Sequence, residues 1–135
     1  MKDKVFLDTN ILVYLYSEDE PEKRTVAHNI FQQVHCITST QVLNEFCSVC
    51  LRKLKIPSKE VLQSIGEIIE NCELCYIDME TIQNAISIND KYGYTYYDSL
   101  VLVSAILSGC KYLYSEDLQH NQFIEGKLRI VNPFL

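Results

Sequence analysis

Glycine and proline are scarce in this sequence, four and three among 135 residues, and they never gather with serine into a linker. Repeats and low-complexity tracts are absent as well. A chain of this length without such a hinge is expected to fold as one domain, residues 1–135. No Gly-rich loop suited to phosphate occurs, and no Ser-His-Asp order suggests a nucleophilic triad. Long apolar runs are missing: the longest, residues 100–107, is interrupted by Ser104 and is too short to span a bilayer. No signal-peptide core precedes Val5-Phe6-Leu7, so a cytoplasmic protein with no membrane association is expected. Positive charge is also in short supply, with 12 Lys and Arg against 18 Asp and Glu and a net charge of −6. A face of this sign cannot hold a polyanion by itself. If nucleic acid is the substrate, bound divalent cations have to supply the missing charge.

The chain does have apolar residues, 47% of the total, enough for a real core. Short strand-like runs at 4–7, 36–38, 74–77, 112–114 and 129–131 alternate with helical periods at 10–16, 22–34, 41–54, 58–71, 80–91 and 96–107. Ile56-Pro57 separates two helices, with Ser58 a candidate N-cap, and Gly93 suits a helix C-cap. The stretch 96–107 is apolar on nearly every side and reads as a buried central helix closed by Ser108-Gly109. The alternation predicts an α/β fold with a mostly parallel sheet of about five strands, covered on both faces. Ligands of such folds collect at the carboxyl ends of the strands. Six cysteines include Cys47-x-x-Cys50 and Cys72-x-x-Cys75, a spacing reminiscent of zinc knuckles. Neither pair has the Gly or Pro turn that a knuckle needs, and Cys47 and Cys50 fall in a helical pattern where Cys acts as a small hydrophobe.

Four acids fall at the strand-end positions. Asp8 directly follows the first strand, and Asp117 comes three residues after the run 112–114. Glu45 lies in the opening turns of the helix after the second strand, and Asp98 in the first turn of the buried helix, near its positive dipole end. Singly, each has an ordinary structural explanation: a cap, a dipole partner, a solvated carboxylate. Together they would crowd like charges on one sheet edge, which costs stability unless a cation intervenes. An all-carboxylate set, without His or Cys, suits Mg²⁺ or Mn²⁺.

These segments carry a resemblance. Val5-Phe6-Leu7-Asp8-Thr9-Asn10 resembles the opening motif of PIN domains. Gln41-Val42-Leu43-Asn44-Glu45-Phe46, Tyr96-Tyr97-Asp98-Ser99-Leu100 and Tyr114-Ser115-Glu116-Asp117-Leu118 resemble the segments bearing the family's second, third and fourth acids. The order holds over nearly the whole chain and is most similar to the VapC-type toxins of toxin–antitoxin pairs. The resemblance implies a three-layer α/β/α Rossmann-like sandwich and metal-dependent endoribonuclease activity, leaving 5′-phosphate and 3′-hydroxyl ends. It also implies a homodimer and inhibition by a cognate antitoxin. Asp8, Glu45, Asp98 and Asp117 would be catalytic, with Asp8, Asp98 and Asp117 on the metal, and Thr9, Asn10 and Ser115 would orient them. Asn121 stands where many relatives have Gly, and Asn tolerates the left-handed backbone.

Several residues stay open to a second use. Glu116 could replace Asp117, but neighbours at a strand end point opposite ways. His120 reads as a surface loop residue, and His28 and His35 lie away from the acids. Tyr92, Tyr94, Tyr96 and Tyr97 could stack bases or simply pack. Arg52, Lys53, Lys55 and Lys59 form the densest basic cluster, either a solvated hairpin or a track for RNA. A phosphatase of the haloacid-dehalogenase type would need an acid at position 10, where Asn10 stands. The alternative from another class is a catalytically weak PIN module that only binds RNA or protein.

Overall fold

The computed structural model describes residues 2–135. Strand β1 (Lys4–Leu7) leads into the short helix α1 (Thr9–Tyr14), then α2 (Pro21–Gln33) and β2 (His35–Ser39). Helix α3 (Thr40–Ser48) runs into a π-helical turn at Val49–Lys53, followed by α4 (Ser58–Asn71) and β3 (Cys72–Cys75). Helices α5 (Met79–Tyr92) and α6 (Tyr96–Leu107) precede β4 (Tyr112–Tyr114), β5 (Phe123–Ile124) and β6 (Leu128–Val131). The sheet order is β3-β2-β1-β4-β6-β5. All neighbours are parallel except β5, which runs antiparallel to β6. This is the mostly parallel sheet of a three-layer α/β/α sandwich, with six strands instead of about five. The extra strand, β5, has two residues, too few to show any period.

The strands are buried as a parallel sheet covered on both faces requires: Val5, Phe6, Leu7, Ile37, Leu113 and Ile130 are all fully buried. Helix α6 buries Ser99 through Ala105 without interruption. The stop signals act where the local chemistry demands. Gly93 closes α5 at φ 78°, a conformation that a Cβ disfavours. Asn121 also takes a left-handed φ, 69°. Three expectations shift. The helix expected over 41–54 changes to π geometry at Val49, and β3 begins at Cys72, two residues early, because its register with β2 opposes Cys36 to Cys72. Ser58 is the first helical residue and not the cap; Pro57 occupies the cap position, and its carbonyl accepts from Glu60 and Val61.

Both cysteine pairs lie in regular elements. Cys47 and Cys50 sit on the helical segment after β2, and Cys72 and Cys75 are the end residues of β3. Among the described residues no helix is long and apolar enough to cross a membrane.

The topology decides where a site can form. From β1 the chain steps to β2 and β3 on one side, then returns to β4 on the other. The carboxyl ends of β1 and β4 therefore flank the crevice where strand order reverses, the usual place for a ligand in open α/β sheets.

Candidate active site

Asp8 is the first residue after β1 and Ser115 the first after β4, and the ladder carries on past both strands. Asp8 N donates to the Tyr114 carbonyl at 3.1 Å, and Ser115 N to that of Val131 at 3.0 Å. The Asp8 side chain caps α1 by accepting from Thr9 N at 2.8 Å, while its other oxygen accepts from the Ser115 hydroxyl at 2.8 Å. Ser115 is fully buried, and its Oγ also accepts from the backbone N–H of Asp117 and Leu118 at 3.2 and 3.3 Å. One hydroxyl thus fixes the carboxylate of β1 and the turn that carries Asp117.

The remaining acids join the same edge. Thr9, buried in the first turn of α1, donates its hydroxyl to Glu45 at 2.7 Å. Asn10 donates its amide to Asp117 at 3.0 Å. Glu45 lies on α3, whose N-cap Ser39 accepts from Val42 N. Asp98 lies on α6, where the Thr95 side chain caps the helix by accepting from Asp98 N at 3.1 Å. Gln41 joins the last two segments, donating to the Tyr97 carbonyl at 3.0 Å and to Glu45 at 3.4 Å. Thr9, Asn10 and Ser115 therefore each touch one of the four acids.

The electrostatics register the crowding. Burial pushes the Asp8 carboxyl from its ordinary 3.8 up to about 6, against the Ser115 and Thr9 hydrogen bonds, with the charges of Glu45 and Asp117 adding to the rise. Burial also raises Asp117, helped by the charges of Glu116, Asp98 and Glu45. No lysine or arginine forms an ion pair with any of the four acids among the described residues.

Among the described residues, no three His, Cys, Asp or Glu side chains already stand where they could hold a metal ion together. The donor chemistry still fits a hard, partly hydrated cation. Mg²⁺ keeps several of its waters and takes only one or two carboxylates directly. Gln41 Oε1, beside Glu45, is buried with no donor among the described residues, an acceptor that a coordinated water would satisfy. At this edge Glu45 and Asp117 are exposed, while Asp8 and Asp98 are half-buried. A cleft of about 530 Å³, lined by Tyr16, Asp19, Ile56, Glu60 and Glu67 among others, contains none of the four acids.

Other residues fall outside the edge or support it. Glu116 points away from Asp117 to Tyr14 and Lys23. His120 is exposed on the loop and accepts from Asn132 N at 2.9 Å. Tyr94 Oη accepts from Gln119 N at 3.2 Å and donates to Gln122, tying the α5–α6 connection to the loop after β4. Tyr92 bonds Glu125, whereas Tyr97 is 66% exposed beside Asp98. Arg52, Lys53, Lys55 and Lys59 are all exposed around the π-helical turn and the start of α4. Sequence reasoning gave no role to Gln41, which only opens the motif bearing Glu45, or to Lys23, which lies in no motif, since each acts through a contact distant in sequence.

The comparisons bear on the family and the fold. The family described as PIN domain matches residues 5–124. Among solved structures, a toxin–antitoxin complex from Klebsiella pneumoniae is 19% identical, with TM-score 0.72 and coverage of 96% of this chain and 97% of that one. VapC20 of Mycobacterium tuberculosis, described as a toxin that cleaves the sarcin–ricin loop, is 14% identical, with TM-score 0.69 and coverage of 84% and 89%. VapBC2 from Rickettsia felis, bound to a promoter DNA fragment, is 16% identical, with TM-score 0.66 and coverage of 94% and 98%. At such identities the likeness is one of fold. Among curated proteins none matches the chain.

Proposed function

The chain belongs to the PIN-domain family, and from that premise we propose that it is a divalent-metal-dependent endoribonuclease, the toxin of a toxin–antitoxin pair. The observation that carries this is the meeting of carboxylates from the end of β1, α3, α6 and the turn after β4 at the switch point of the sheet, with no basic side chain paired to them among the described residues. A fold gains nothing from repulsion of that kind, whereas a cation site requires it.

Asp8, Asp98 and Asp117 would hold Mg²⁺ or Mn²⁺, with Thr9, Asn10 and Ser115 fixing the carboxylate geometry. When bound, the ion supplies charge neutralisation on the phosphate and acidification of the attacking water. Glu45, exposed and anchored on one oxygen by Thr9, would take the proton of that water. The water oxygen attacks phosphorus in line, the bond to the 3′-oxygen breaks, and the leaving oxygen is protonated by solvent. The products are a 5′-phosphate and a 3′-hydroxyl. Tyr97 offers an exposed ring for a neighbouring base, and Arg52, Lys53, Lys55 and Lys59 offer a track for the backbone.

The K. pneumoniae toxin–antitoxin complex and the DNA-bound R. felis VapBC2 support an antitoxin as partner. An arginine or lysine from its basic, amphipathic segment would pair with the acid edge and compete with the metal. A second copy is the other partner expected, and Met79 and Ile86, seven residues apart on α5 and both well exposed, give it apolar surface to cover.

Cleavage of mixed RNA in Mg²⁺ or Mn²⁺ tests the activity. Asp8→Asn and Asp98→Asn should lower the rate by more than about 100-fold while both variants stay folded. A parent that binds RNA without cutting it in either metal would leave the binding module as the function, and an Asp8→Asn that cuts at the parental rate refutes the assigned chemistry.

A further inference from the structure

The turn after β4 carries two adjacent carboxylates, and only one faces the acid edge. Glu116 is gripped on the far side: one of its oxygens lies 2.5 Å from Lys23 Nζ, and the other accepts from the Tyr14 hydroxyl at 2.6 Å. Lys23 also donates to Tyr14 Oη at 3.3 Å. Its ammonium lies 5.0 Å from the centre of the Tyr14 ring and 5.5 Å from that of Phe134, two rings that meet edge to face at 5.2 Å. The Lys23 and Glu116 side chains are 33% and 23% exposed, so water and salt screen them less than a typical surface pair. Tyr14 of α1 and Lys23 of α2 thus converge on one carboxylate that belongs to no part of the proposed chemistry, and Phe134, after β6, packs behind both of them.

Its neighbours show what this grip controls. Ser115 is pinned to Asp8 at 2.8 Å, and Asp117 receives Asn10 at 3.0 Å. Glu116 lies between them in the bend after β4, and its contacts with Tyr14 and Lys23 take it away from the side of Asp8 and Asn10. Two fixed points, Ser115 on one face and Glu116 on the other, leave the turn little freedom to rotate. We propose that Lys23 is a positioning residue for the acid edge: itself seated on the Tyr14 and Phe134 rings, it holds Glu116 beside Tyr14 and thereby sets the turn so that Asp117 faces Asp8. The inference rests on the metal-dependent nuclease function proposed above. Without Lys23, Glu116 is a partly buried carboxylate with no counter-charge. It relieves that cost by turning toward solvent or toward the cation, and in either direction it moves Asp117. Lys23 touches neither metal nor RNA in this scheme, so its loss is felt in metal affinity and not in turnover once metal is saturating.

Mn²⁺ titration of the full chain, followed by the paramagnetic resonance of the free ion, tests this directly. The set comprises the parent, Lys23→Ala, Lys23→Arg, Glu116→Ala and the Lys23→Ala/Glu116→Ala double variant, each checked for folding by thermal melt. Lys23→Ala should weaken Mn²⁺ binding about tenfold, and Lys23→Arg should restore it. Cleavage by Lys23→Ala at saturating Mn²⁺ should stay within about twofold of the parent. In the Glu116→Ala background, Lys23→Ala should have no further effect, because it acts through Glu116. If Lys23→Ala does not fold, Lys23→Gln, which keeps most of the chain and loses the charge, takes its place. Parental Mn²⁺ affinity in the Lys23 variant, or effects of Lys23 and Glu116 that simply multiply, overturns the positioning role and leaves the metal site standing. A parent that binds no Mn²⁺ overturns both.

Discussion

At the scale of single residues the decisive one is Asp8, whose carboxylate is both a helix cap and the most perturbed of the four acids. Its carboxyl titrates near 6 in the folded chain and near the ordinary 3.8 when unfolded. Between those values the folded state holds the proton more tightly, so Asp8 makes the metal-free protein less stable as pH rises from about 4 to about 6, and the cost persists above. Asp8→Asn removes it. In chelator at pH 7.5 the variant should be more stable than the parent by on the order of 1 to 2 kcal/mol, after allowance for solvent screening, and the advantage should vanish at pH 4. Urea melts at the two pH values decide the matter; a variant less stable than the parent at pH 7.5 would mean that the Ser115 and Thr9 hydrogen bonds outweigh the desolvated charge. The positions of the acids were readable because each sits just beyond a strand or in a helix's first turns. The contacts among them were not, because Thr9 to Glu45 and Asn10 to Asp117 join residues 36 and 107 positions apart, and no local pattern encodes such pairs.

At the scale of elements, the sequence was most readable where punctuation and period agree. Helices α4 and α6 occupy the expected residues, because Ile56-Pro57 and Ser108-Gly109 bracket long apolar stretches. The π-helical turn at Val49–Lys53 escaped notice, since a wider hydrogen-bonded turn of five residues leaves a hydrophobic pattern close to that of an α-helix. β5 was missed because pairing with β6 defines it and composition does not. Its three-residue hairpin loop has left-handed backbone at Glu125 and Gly126, φ 54° and 64°, with Lys127 N donating to the Ile124 carbonyl. Gly93 makes a cleaner test. A Cβ there meets nothing within 4 Å, yet φ is 78°, so Gly93→Ala carries only a conformational cost. Thermal or urea denaturation should show a loss of about 1 kcal/mol. A larger loss would point instead to disturbance of Tyr94 and the loop it ties down.

At the scale of the whole molecule, the proposed cation site should make an acidic chain of net charge −6 respond to the ions around it. Ligand linkage gives this dependence a size: Mn²⁺ at 100 times its dissociation constant should stabilise the folded state by about 2.7 kcal/mol. Asp117→Asn should lose most of that shift, and thermal melts with and without chelator read it. A parent whose melting ignores Mn²⁺ would deny the acid edge its ion. The parallel topology has a further effect, on timing. Asp8 meets Ser115 across 107 positions, a contact of the kind that forms late, after the cost of closing a long loop has been met. During synthesis Asp8 and Glu45 emerge well before Asp98 and Asp117, and β1 has no β4 beside it until most of the chain exists. No early fragment therefore carries the complete set of acids, and a cation site built from all four could form only when the sheet closes at its centre.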